Sequence, residues 1–430
     1  QGPRRPGGAA FGVRGLMCAV PGTGRGPMRA PDATLALRAD PYRFVRGRCC
    51  AEGTDAFRTR LLLQRTLCMT GPEAARFFYD GEIFTRAGAA PGFLTATLFG
   101  EGGVQALDGA EHAHRKAMFL DLFGPGRTDA LTAAAAAAIE ALLRGREPVV
   151  LQDRLEEVLT RVVCDWAGVP LPGSALRDRS RMLSHLFEHA ASVDIRQILA
   201  RRARRRAERW IGGVIEDVRS GRLSPPPGSA LAVVAGWRTP GGDLLAVPVA
   251  SVELLNMLRP FVAISSYLTF AAHALATEPG QADALRADPA RLPHFVQEVR
   301  RTYPFFPLLV ARARCDTAWR GHEIRKGERV ALDIWGTNRD PSAWTDPDSF
   351  SPRRFEGWRG DPFTLVPQGG GGHAAGAMRR AVARGEPRGE PMSPRAGPAR
   401  QATEGGFERS GRSAASAAVW RRPRPRGAPA

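Results

Sequence analysis

The segment SVELLNMLRPFVAISSYLTFAAHALA, Ser251 to Ala276, constrains the fold more than any other. So long an apolar stretch must be covered on most sides, by lipid or by the rest of the chain. It exceeds the roughly 20 residues a helix needs to cross a bilayer. Glu253, Arg259 and Pro260 nevertheless interrupt its first half, and charges at that depth are costly in hydrocarbon. The reading is therefore a central helix buried in a large α-helical domain, with no membrane span. A chain of 430 residues can supply such a domain.

The flanking sequence agrees. DALTAAAAAAIEALLRG, VLQDRLEEVLTRVVCDWAGV, RARRRAERWIGGVIEDVRSG and LPHFVQEVRRTYP all carry helical patterns. Nearer the start, ATLALRADPYRFV predicts a short helix ended by Asp40-Pro41. TRLLLQRTLCMTGPEAARFFYD predicts two short strands, then a helix opened by Gly71-Pro72, with Pro72 in the first helical position. After residue 307 come strand-like pieces, and the turn Arg325-Lys326-Gly327 between them is a hairpin candidate. No period of 20 to 50 residues recurs, which excludes a solenoid. The fold class is mainly α with small β-sheets near both ends of a domain spanning 32–376.

The net charge of +18 would by itself suggest a nucleic-acid partner, but its distribution argues otherwise. Residues 1–31 hold five Arg and no acid, and residues 377–430 hold twelve Arg and four Glu, so the ends carry +13 of the total. The chain reads as a nearly balanced domain between a leader, 1–31, and a disordered basic tail, 377–430. The Arg-rich run 201–209 alternates with Ala203 and Ala207 ahead of Trp210, Ile211 and Val214, the pattern of an amphipathic helix with a solvated basic face. No nucleic-acid partner is expected. The six cysteines lack metal-ligand spacing. His112 and His114, two apart, do not share a helix face, so no protein-held metal cluster is expected.

Three features recur in a fixed order. Glu298 and Arg301 in EVRRTYPF lie one helical turn apart and can pair, leaving the guanidinium fork free for backbone carbonyls. Downstream, GERVALDIWGTNRDPSAWTDPDSFSPRRF concentrates Asn338, Asp340-Pro341, Trp344, Asp346-Pro347, Phe350, Pro352 and Arg354-Phe355. FTLVPQGGGGHAAG then supplies a glycine loop. This order resembles the cytochrome P450 family, whose ExxR pair looks like Glu298 and Arg301, a structural pair. The resemblance covers Asp32 to Gly376 and is strongest to the fatty-acid peroxygenases. It implies a cytochrome P450 fold, C-terminally incomplete here, and haem b as cofactor.

Within that resemblance, Arg259-Pro260 stands where ordinary P450s carry an acid–alcohol pair that delivers protons to dioxygen. Pro260 lacks an amide donor and should kink the helix, and a buried Arg259 needs an anion. The subfamily pairs this Arg with the fatty-acid carboxylate, which then serves as acid–base toward hydrogen peroxide. An Arg paired with Glu253 or another protein acid is the competing reading. The resemblance also implies catalytic roles for Arg259 and Gln105, and substrate contacts by Arg259, Pro260, Arg86 and Phe93. His112, Lys116 and Gln368 would border the haem. On a helix, His112, Arg115 and Lys116 share a face suited to a carboxylate. Fatty acid and hydrogen peroxide are the implied partners of a cytoplasmic monomer that needs no redox partner. A P450 monooxygenase using dioxygen, and a haem-less remnant, are the alternatives.

One part is missing. P450 chemistry needs an axial cysteine thiolate, which the family places a few residues after the glycine loop. Here AMRRAVARG follows, and no cysteine occurs after Cys315. His373 matches a loop residue, not the ligand. The chain has only two lysines, Lys116 and Lys326, among 61 basic residues, which points to GC-rich coding with CGN arginine codons. Met378-Arg379 is then ATGCGN, which one base out of register contains TGC, a cysteine codon. The surrounding shifted codons are compatible with R-C-A-G-Q. The expectation is that residues from about 377 onward are read out of frame, leaving the chain inactive as written.

Overall fold

The computed structural model describes residues 32–370, apart from 108, 125, 146, 147 and 193. The leader, His373 and the tail of the sequence analysis lie outside the described residues. Two short helices, α1 (Thr34–Ala39) and α2 (Phe44–Glu52), come before strands β1 (Ala56–Leu61) and β2 (Gln64–Met69). Then follow α3 (Pro72–Phe78), β3 (Phe84–Thr85) and α4 (Gly92–Leu98). The expected strand pair is present, and Pro72 opens α3 with Glu73 in its first turn. The helix α2 was not foreseen: ATLALRADPYRFV ends one helix at Asp40 and begins another.

The helical body comprises α5 (Gly109–Leu122), α6 (Arg127–Leu143), α7 (Leu151–Ala167), α8 (Leu176–Glu188) and α9 (Ile195–Arg219). It continues through α10 (Ala230–Gly236), α11 (Val247–Val262), α12 (Ile264–Thr277), α13 (Gln281–Ala287) and α14 (Leu292–Thr302). The largest core is built by α7, α8, α9 and α11, through residues such as Leu183, Leu186, Ile211, Ile215, Leu254 and Leu258. On α9, Ala203, Ala207 and Ile211 are buried while Arg201, Arg202, Arg205 and Arg209 are exposed, as expected for a solvated basic face.

The long apolar segment forms two consecutive helices, α11 and α12, that meet at Ala263. Pro260 has no N–H to offer the Asn256 carbonyl, so the hydrogen-bond ladder opens there. A tighter bond from the Ser266 amide to the Ala263 carbonyl (3.2 Å) follows the break. Val247–Thr277 is long and apolar enough to cross a membrane by length and composition, yet 61% of its most apolar window is buried inside the protein. Burial is nearly complete along α11 and partial along α12.

The C-terminal part adds β4 (Leu308–Ala313), β5 (Thr317–Trp319), β6 (His322–Ile324), β7 (Arg329–Asp333) and α15 (Ile334–Thr337). One five-stranded sheet, in the order β1-β2-β7-β4-β3, joins the two ends of the described chain. Its β2–β7 pairing is parallel, with Leu67 opposite Val330, and its other pairings are antiparallel. All five β7 residues are buried, as a central strand covered on both faces requires. The hairpin expected at Arg325-Lys326-Gly327 is not one. That turn leads from β6 to β7, which pair with different partners, and the hairpin lies at Arg320-Gly321 between β5 and β6. Both residues there have positive φ, 43° and 81°, the backbone of a two-residue hairpin turn.

Candidate substrate-anchoring site

The Glu298–Arg301 pair is a buried polar unit with all its guanidinium donors satisfied. Both residues are fully buried on α14. Arg301 Nε donates to Glu298 Oε2 at 2.7 Å and Nη2 to Oε1 at 2.8 Å. The rest of the fork donates to the carbonyls of Asn338 (3.0 Å), Pro347 (2.7 Å) and Ser349 (3.0 Å). A guanidinium has five N–H groups, and each has an acceptor here. Glu298 Oε1 also accepts from the Ser351 amide (2.7 Å) and from Arg354 Nε (3.2 Å). The aromatic-proline segment is thus clamped onto α14 by one ion cluster. Arg354 is a member that sequence spacing did not reveal. Asn338 extends the cluster, since its Oδ1 receives the Val366 amide (2.7 Å) just before the glycine loop.

A second constellation forms where α11 meets residues 99–106. Asn256 Nδ2 donates to the Phe99 carbonyl (3.0 Å) and to Gln105 Oε1 (3.2 Å). Arg259, one turn further, is 7% exposed, and its guanidinium lies 5.7 Å from the centre of the Phe99 ring. Its Nε is buried without a hydrogen-bond partner among the described residues. Burial, and secondarily the nearby charge of Arg204, pull the Arg259 guanidinium down to about 9, still cationic at neutral pH. The competing reading, Arg259 paired with Glu253, is overturned. Glu253 is fully buried and accepts from Arg115 Nη1 at 2.7 Å, and burial raises its carboxyl above the usual range despite that partner. Arg115 is consequently not free to join His112 and Lys116 as a carboxylate partner, as its helix face had suggested.

The remaining expected residues fall elsewhere. Gln105 is joined to Asn256 on the Arg259 side. Arg86 is exposed and lies 4.9 Å over the Tyr79 ring. The other flank of Tyr79 meets the glycine loop: Gly369 has φ +109°, and a Cβ there would sit 2.9 Å from the Tyr79 hydroxyl. Phe93 is half-buried on α4, its carbonyl accepting from Thr97 Oγ1 and Gln197 Nε2, while its neighbour Leu94 packs on the main core. His112 is half-buried and Lys116 exposed, one turn apart on α5. His114 Nε2 donates to the Arg238 carbonyl (2.9 Å). Gln368 Oε1 accepts from Arg300 Nη2 (3.0 Å), and Arg300 Nε is buried without a partner among the described residues.

These residues also test the haem expectation. An Arg300 bonded to amide oxygens, with one N–H orphaned beside the glycine loop, suits an anionic group. None of the described cysteines suits the role of haem ligand. Cys49 and Cys68 lie in the core beneath the sheet, and Cys164 lies in the core of α7. Burial pushes the Cys49 and Cys164 thiols up to about 12 and the Cys68 thiol higher still, which disfavours the thiolate form. Cys50 is exposed on α2, and Cys315 follows β4. No described residue brings a thiolate to the glycine loop, and no cluster of three metal-ligating side chains exists among the described residues.

Comparison with known proteins places this geometry. The cytochrome P450 family model matches residues 290–374, which contain the Glu298 cluster and the start of the glycine loop. Cytochrome P450 84A4 of Arabidopsis thaliana is 37% identical over 89 residues, 20% of this chain and 17% of its own length. The chain therefore spans under a fifth of that curated relative. Solved structures align far more extensively. Cytochrome P450SP alpha (CYP152B1) in complex with (R)-ibuprophen is 45% identical, with a TM-score of 0.76 over 82% of this chain and 88% of its own. Cytochrome P450EX alpha (CYP152N1) with myristic acid is 41% identical, with a TM-score of 0.74 over 80% of this chain and 85% of its own. With the buried Glu298–Arg301 cluster and the Pro260 kink in place, this extent of identity shows that the chain belongs to the cytochrome P450 family, in the CYP152 branch.

Proposed function

We propose that the chain carries the substrate site of a hydrogen-peroxide-dependent fatty-acid hydroxylase, and that its axial cysteine is lost through a shift of reading frame near residue 377. The observation that carries the first part is Arg259. A buried guanidinium with no paired acid among the described residues costs free energy until an anion reaches it, and a fatty-acid carboxylate is the anion the CYP152 resemblance points to. P450EX alpha, solved with myristic acid, supports that substrate class. Held at Arg259, the carboxylate can take and return a proton of hydrogen peroxide. In that role it replaces the acid–alcohol pair absent from Arg259-Pro260, and hydroxylation falls at the α or β carbon. Gln105, fixed by Asn256, borders the same site, and Pro260 opens the helix beside it. Arg86, Phe93, His112, Lys116 and Gln368 remain proposed contacts of substrate or haem b.

The second part rests on the sequence: a P450 glycine loop without a following cysteine, and a codon pair that contains one in the next register. The chain as written is then inactive, and a chain translated in the shifted frame from about residue 377 is the active form. The test is this frame-restored chain, loaded with haem, given myristate and ¹⁸O-labelled hydrogen peroxide. The expected product is 2- or 3-hydroxymyristate carrying the label, formed without reductase. A product that appears only with dioxygen and a reductase would establish the ordinary monooxygenase reading instead.

A further inference from the structure

Arg204, on α9, is a second buried cation of this site. It is 4% exposed. Its Nε donates to Glu208 Oε1 at 2.7 Å and its Nη2 to the Phe99 carbonyl at 3.3 Å, while Nη1 is buried without a partner among the described residues. The same Phe99 carbonyl receives Asn256 Nδ2, and the Phe99 ring lies beneath Arg259. Arg204 and Arg259 therefore flank one residue from two different helices. Gly100 makes the approach possible: its φ is +80°, and a Cβ there would collide with the Arg204 guanidinium.

Among the described ion pairs of this site the charges do not balance. Arg115, Arg204 and Arg259 are three cations, and Glu253 and Glu208 are the carboxylates paired with the first two. Glu208 is the less effective counter-charge, since its side chain is 32% exposed and its field is screened by solvent. Burial also lowers the Arg204 guanidinium below its ordinary value. Two like charges around one half-buried phenylalanine repel each other, and one further carboxylate would relieve both.

We infer that Arg204 is a specificity-determining residue for the carboxylate: it supplies positive potential behind Arg259, and Glu208 sets the strength of that potential. This deepens the proposed function and rests on the reading that Arg259 receives a carboxylate. The inference separates Arg204 from a residue that merely packs α9 against Phe99, because removing its partner acid must then act in the opposite direction.

The experiment compares myristate with 1-tetradecanol, the same chain without the charge, by calorimetric titration of the full-length chain, Arg204→Gln, Glu208→Gln and Arg259→Gln. Arg204→Gln should weaken myristate binding roughly three- to tenfold and leave tetradecanol unchanged. Glu208→Gln should tighten myristate about twofold, because it uncovers the Arg204 charge. Equal loss of both ligands in Arg204→Gln, or weaker myristate binding in Glu208→Gln, would overturn the inference and leave Arg204 a packing residue. If Arg204→Gln fails to fold, the sign of the Glu208→Gln effect decides alone. Should the parent chain show no preference for myristate, or Arg259→Gln keep that preference, the proposed function itself falls, and Arg204 with it.

Discussion

Arg259→Gln in the frame-restored chain should lower peroxide-driven turnover of myristate about 100-fold or more while leaving the protein as stable as its parent, or more stable. The two effects have one cause. Arg259 is buried, its Nε has no acceptor among the described residues, and the charge that bears on it is that of another arginine, Arg204. Removing an unpaired buried cation relieves a cost instead of breaking a bond. The carboxylate, by contrast, loses its direct counter-charge and its orientation toward the reacting peroxide. A residue that served the fold would show the reverse. A variant that melts several degrees lower, yet binds and turns over myristate like its parent, would make Arg259 structural and remove the basis for the substrate assignment.

Arg301→Lys should prevent folding, although it keeps the charge. Lysine offers three donors on one point, whereas Arg301 spends five N–H groups on Glu298 and on three carbonyls from different parts of the 338–349 segment. Buried Glu298 and at least two carbonyls would be left poorly paired. Breaking such a buried ion cluster costs about 3–5 kcal/mol, a large fraction of what holds a domain of this kind together. Circular dichroism and chemical denaturation of purified Arg301→Lys provide the check. A cooperative transition at the parent's midpoint would show that the cluster contributes far less than its geometry implies.

Local chemistry made much of this legible. Pro72 announced α3, Pro260 announced the break between α11 and α12, and a three-residue spacing announced Glu298 with Arg301, because each device acts within about one helical turn. What the sequence hid depends on long-range packing. Glu253 looked available to Arg259 on its own helix, but Arg115, 138 residues away, takes it. Arg354 joins Glu298 across 56 residues, a distance no periodicity encodes. The Arg325-Lys326-Gly327 turn has hairpin composition, yet β7 is drawn into the centre of the sheet between β2 and β4, where its five residues are buried. Arg204 read as one more basic residue of an amphipathic helix. It lies on the buried face with Ala200, Ala203 and Ala207, and Gly100 leaves room for its guanidinium.

The central proposal joins a carboxylate site at Arg259 to a thiolate lost by a shift of reading frame, and one measurement addresses that junction most directly. The chain as written and the frame-restored chain are each loaded with haem and reduced under carbon monoxide, and their difference spectra are compared. The account predicts the absorption band of thiolate-ligated haem in the restored chain and none in the chain as written. A thiolate band from the chain as written, or its absence from the restored one, would contradict it.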